Sequence, residues 1–106
     1  MIFTLTFVEN LSRLLLDGGP LFLVLGVVIA ALAIVVGWIE GWSLTDSVYF
    51  GFITATTVGY GDIAPTHGFG KLISVVLSLI GLIVTGIMVA LAVEAADTTY
   101  VQLNPR

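Results

Sequence analysis

Seven consecutive residues carry the chemistry of this chain: Thr56, Thr57, Val58, Gly59, Tyr60, Gly61 and Asp62. Glycines at alternate positions weaken both regular backbone ladders, so the stretch makes a poor strand and an impossible helix. They permit a backbone that alternates between right- and left-handed conformations and aims successive carbonyls toward one side. Such a row of oxygens is a cation site. A plain glycine-rich turn would account for the glycines, but for neither the threonine pair nor the apolar segment before them.

The elements that must position this stretch belong in a bilayer. Of 106 residues, 58% are hydrophobic and only 9% charged, which is too apolar for an ordinary soluble domain. Residues 21–39 hold no charge and as a helix reach ~28 Å, close to the ~30 Å of a hydrocarbon layer. Residues 72–93 are a second uncharged run, ~33 Å as a helix, enough to span with some tilt. Between them, residues 43–57 form an apolar segment with Ser43 and Asp46 in capping-box-like spacing. At roughly 20 Å as a helix it is too short to cross and suits a re-entrant segment, whose carboxyl end turns a partial negative charge toward a cation. Trp38 and Trp42 flank the end of the first span as interfacial anchors, and Glu40 marks emergence into water. Gly37 and Gly41 have small-xxx-small spacing but lie at the rim, where a turn is expected.

On these residues the chain resembles the potassium channels. The run from Thr57 to Gly61 matches their signature filter, and residues 42–57 look like the pore helix that precedes it. The resemblance implies that the carbonyls of Thr57, Val58, Gly59 and Tyr60, with the Thr57 hydroxyl, replace the water shell of a potassium ion. It implies support of the filter by Thr56, Asp62 and Tyr49, with a hydrogen bond expected from the Tyr49 hydroxyl to the Asp62 carboxylate. Some small bacterial members carry a glutamate behind the filter where this chain has Ile53, so no carboxylate pair with Asp62 is available and their inactivation behaviour does not transfer. The inner-helix positions that line the cavity and gate fall on Leu82, Thr85, Val89 and Val93. Gly81 matches the hinge glycine, with Gly86 as its rival; either is also a glycine of the kind membrane helices use for packing.

The remaining segments frame this pore. Residues 1–17 read as an amphipathic interfacial helix, with Leu5, Val8, Leu11, Leu14 and Leu15 near one face opposite Glu9, Asn10 and Arg13. Pro20 suits the first turn of the outer transmembrane helix, residues 20–39. After the filter, residues 57–61, the chain returns to the outer surface, where His67 is a solvated loop histidine. Gly70, Ser74 and Ser78 give the inner helix, residues 70–95, a smooth packing face. Residues 96–106 are a polar cytoplasmic tail, with Glu94 solvated where the helix leaves the bilayer.

The expected architecture is therefore an all-α membrane protein of one pore domain, two transmembrane helices flanking a re-entrant pore helix, closed by three identical subunits into a four-fold symmetric homotetramer. Both termini are expected in the cytoplasm of a cell-membrane protein, with Arg13 and Arg106 on that side and Lys71 on the other. The expected function is passive, potassium-selective conduction, with potassium as the permeant ion, no organic cofactor, no small-molecule substrate and no catalysis. Three basic residues against seven acidic ones leave no surface for nucleic acid. No cysteine is present, which excludes disulfides and thiolate metal sites. A weakly selective cation channel, a non-conducting membrane adaptor or regulatory subunit, and a pore cut from a larger gated protein are the alternatives.

Overall fold

Ser43 sets the start of the short central helix, accepting the Asp46 N–H on its hydroxyl at 3.1 Å and satisfying one of the amides that a helix start leaves free. In the computed structural model, which describes residues 1–105, this helix is one of four: α1 (Ile2–Asp17), α2 (Gly19–Glu40), α3 (Leu44–Ala55) and α4 (Gly68–Leu103). The described residues are helical apart from short connections and the stretch between α3 and α4. Both α2 and α4 are long and apolar enough to cross a membrane, and both bury only a few of their apolar side chains. That exposure separates them from the core helices of a soluble protein, which bury such residues.

Close backbone approach holds α3 in place. A Cβ on Gly51 would lie 2.5 Å from the Ala33 Cβ on α2, and one on Gly81 of α4 would lie 2.5 Å from both Cα and carbonyl oxygen of Ala55. Glycine is thus required at each crossing by space. Gly37 does the same for Ser47, so its place in the sequence pattern reports a helix crossing, whereas Gly41, at φ 76°, ends α2 in a left-handed cap. Val36, Phe50 and Leu77 meet at the centre of these three helices. Trp42 packs on them with its ring 5.1 Å from Phe50, while Trp38 stays 80% exposed. Of the two, Trp38 alone is left free to anchor an interface.

Two features depart from the sequence-based expectations. The inner helix runs on to Leu103, through most of the polar tail, because α1 packs against those last turns. And α1 turns its amphipathic face unexpectedly: Asn10, placed on the polar side, is 6% exposed, while Leu5 and Val8 of the apolar stripe are 65% and 53% exposed. Helical hydrogen bonds pass through the junction, from Gly18 N–H to the Leu14 carbonyl and from Phe22 N–H to the Gly18 carbonyl, so α1 leads into α2. The same interval, about 30 residues or ~45 Å of helix, separates Asn10 from Glu40 and Thr99 from Gly70, the residues they meet. Together α1 and α2 therefore run antiparallel along nearly the whole of α4, in a molecule 59 Å long and 25 Å by 20 Å across.

Candidate functional site

The stretch from Thr57 to Gly61 leaves α3 in an alternating conformation. Thr57, Gly59 and Gly61 have φ of 65°, 56° and 81°, and Val58 and Tyr60 between them do not share the positive angle. Positive φ is unremarkable for glycine, but for a β-branched threonine it is an outlier that surrounding structure must enforce. The enforcement is visible: Thr57 N–H donates to the Thr54 carbonyl at 3.2 Å, and Gly59 N–H donates to the Ile53 carbonyl at 3.1 Å. These bonds tie the stretch to the last turn of α3, where Thr56 is satisfied internally by donating its hydroxyl to the Phe52 carbonyl at 2.7 Å.

At the far end of the stretch, the Tyr49 hydroxyl donates to Asp62 Oδ2 at 2.9 Å. That hydrogen bond pushes the Tyr49 phenol above its ordinary value, and desolvation and the charge of Asp62 act the same way, so the hydroxyl stays a donor. Ile53 is buried in the position behind the stretch and contributes only packing and its carbonyl. The structure thus brings together Tyr49, Thr56, Thr57, Val58, Gly59, Tyr60, Gly61 and Asp62.

Glu40 belongs to this group, although in the sequence it reads only as the end of a span. Its carboxylate accepts the Thr66 N–H at 2.9 Å, the Thr66 hydroxyl at 2.9 Å and the His67 N–H at 2.8 Å. The His67 ring lies 3.0 Å away through Nδ1, with its side chain 60% exposed and that of Glu40 only 4% exposed. Read alone, His67 is a solvated loop residue; in the fold its backbone and ring both meet Glu40. A Cβ on Gly70 would come 3.1 Å from the same carboxylate, so the start of α4 is pinned to the end of α2. No local pattern signals this arrangement, because its partners lie 26 and 27 residues apart.

The inner-helix residues divide. Leu82, Val89 and Val93 are exposed along α4, whereas Thr85 turns its hydroxyl to within 3.4 Å of the Ala55 carbonyl. Gly81 is buried against Ala55, and Gly86 has open space around it. The helix is unbroken at both. Beneath α3 lies a cavity of ≈ 470 Å³ walled by residues such as Ile29, Phe52, Ala55 and Met88. The hydroxyls of Thr56 and Thr85 on its wall are bonded to carbonyls, so it is apolar.

Residues 21–97 match the model of a family described as "Ion channel". The chain is 38% identical over 69 residues to TWiK family of potassium channels protein 7 of Caenorhabditis elegans, covering 62% of this chain and 12% of that protein. It is 41% identical over 49 residues to Open rectifier potassium channel protein 1 of Drosophila melanogaster, covering 46% of this chain and 5% of that one. A voltage-gated potassium channel of Aeropyrum pernix is 42% identical over 40 residues, 38% of this chain and 14% of its own length. The chain spans only a small part of the relatives it matches. No solved structure matches at a significant level. The family model covers most of α2, all of α3, the filter-like stretch and most of α4, and its members are channels, not enzymes: the chain belongs to the ion channel family.

Proposed function

We propose that four copies of this chain surround one axis and conduct potassium ions selectively and passively, with α2 and α4 spanning the membrane and α3 entering it only part-way. The observation that carries the reading is the positive φ at Thr57, Gly59 and Gly61, anchored from behind by the Gly59 to Ile53 hydrogen bond. Alternate handedness turns the carbonyls of Thr57, Val58, Gly59 and Tyr60 toward one side, where they take the place of a potassium ion's water. One chain supplies a quarter of such a cage. Val58 and Tyr60 of the stretch and Phe52 of α3 are exposed in the single chain, as a subunit awaiting its neighbours requires.

On this reading Leu82, Val89 and Val93 face the ion path below the filter, Thr85 closes the end of α3, and Gly81 or Gly86 supplies the bend. The termini lie in the cytoplasm of a cell-membrane protein; Arg13 and Lys71 fall on opposite sides, while Arg106 lies outside the described residues. Potassium is cargo, and the pathway uses no organic cofactor. A non-conducting adaptor has no use for a threonine held at φ 65°. The test is reconstitution in liposomes with potassium inside and sodium outside. The reversal potential should follow the potassium gradient, and equal permeability to the two ions would leave only a weakly selective cation channel.

A further inference from the structure

A polar cluster far from the filter joins the two ends of the chain. Asn10 on α1 donates through Nδ2 to Thr99 Oγ1 at 2.8 Å and to Gln102 Oε1 at 3.1 Å, both on the last turns of α4. Thr99 is fully buried and donates its own hydroxyl to the Ala95 carbonyl at 2.6 Å, beside an equally buried Ala95. Among the described residues no buried side-chain nitrogen or oxygen is left without a partner. The seam is complete as it stands, and its cost would fall on any half-open arrangement that buries the amide without its hydroxyl.

The rest of the fold makes this seam decisive for the lower half of α4. Higher up, α4 is fixed at Gly70 against Glu40 and at Gly81 against the backbone of Ala55. Below Gly81 it passes Gly86, which has no neighbour within 4 Å of where a Cβ would sit, before meeting α1 at Thr99 and Gln102. A rod held at two points keeps its line between them. Bending α4 near Gly86 must therefore separate its last turns from α1 or swing α1 about Gly18.

We propose that Asn10, Thr99 and Gln102 form an intracellular latch that holds the end of α4 alongside α1, and that its release lets the inner mouth of the pore widen. This rests on the channel reading given above and adds to it a control point. A polar seam suits the task better than an apolar one: once parted at the cytoplasmic end, the amide and hydroxyl exchange their bonds for bonds to water at small net cost. Closed and fully parted arrangements are both satisfied, and intermediate ones are not, so the seam switches between two states.

The test uses the full chain in potassium-loaded liposomes. Asn10→Ala and Thr99→Val should each leave the oligomer intact, raise potassium flux several-fold and speed amide hydrogen exchange in residues 95–103, whereas Thr99→Ser should behave as the parent. The chain has no cysteine of its own, so Asn10→Cys combined with Thr99→Cys gives one addressable pair per subunit. Joining that pair with a reducible bifunctional thiol reagent should lower flux several-fold, and reduction should restore it. Flux unchanged by both the substitutions and the cross-link would overturn the latch while leaving the channel reading standing. A parent protein that passes no potassium would remove the channel reading and the latch with it.

Discussion

The two ends of the molecule are tied by different means. At the end near the filter, one almost fully enclosed carboxylate, Glu40, accepts hydrogen bonds from Thr66 N–H, the Thr66 hydroxyl and His67 N–H, and the Tyr49 to Asp62 bond holds the stretch beside it. At the opposite end, where α1 packs on α4, the side-chain hydrogen bonds between the two helices among the described residues come from a single amide, that of Asn10. A charged acceptor gathers several donors and fixes a loop in one geometry, whereas a neutral amide and hydroxyl trade readily with water. The contrast suits the proposed channel, in which the filter keeps one geometry while the entrance opens.

The largest effect that would probe this contrast is at the fixed end. Gly81→Val should prevent correct assembly, because even its Cβ would sit 2.5 Å from the Ala55 backbone; size-exclusion chromatography should show loss of the native oligomer. Alanine at the same place should cost on the order of 1–3 kcal/mol as an overpacked contact. A functional valine variant would mean that α3 is not rigidly seated, and the difference between the two ends would collapse.

Gly59→Ala should come next, and through conformation alone. No atom lies within 4 Å of the position of its Cβ, but φ is 56°, which disfavours any side chain by roughly 1–2 kcal/mol. The oligomer should persist while potassium flux is largely lost. Unchanged flux would show that the left-handed angle at this residue is not needed for conduction.

A smaller and more diagnostic change is expected on loosening the supports. Glu40→Gln places an amide NH₂ where donors now converge, so hydrogen exchange at Thr66 and His67 should accelerate and open-state lifetimes should change, with assembly intact. Tyr49→Phe and Asp62→Asn should each alter those lifetimes, and the double variant should add little to either, since both remove the same bond. Fully additive effects would mean that the two residues act separately. The smallest effect belongs to Gly86→Ala, which meets no neighbour and should stiffen α4 by up to about 1 kcal/mol. A modest fall in flux would place the bend there; no change would move it to Gly18 or Gly81.

The amino-acid sequence by itself determined the parts that depend on local pattern. Uncharged runs of bilayer length yield α2 and α4, Ser43 with Asp46 starts α3, and alternate glycines after Thr57 give the backbone its alternating hand, because each of these follows from residues a few positions apart. The Tyr49 to Asp62 bond was legible through the resemblance to potassium channels, which implies an aromatic donor at Tyr49. Only the tertiary structure decided the role of Glu40, whose partners lie across a whole helix and loop, and the burial of Asn10, whose partner is 89 residues away. A helical-face argument assigns Asn10 to water because it weighs polarity alone. The fold reverses that assignment by presenting Thr99 and Gln102 at the matching height on a neighbouring helix, which turns a costly buried amide into a satisfied one.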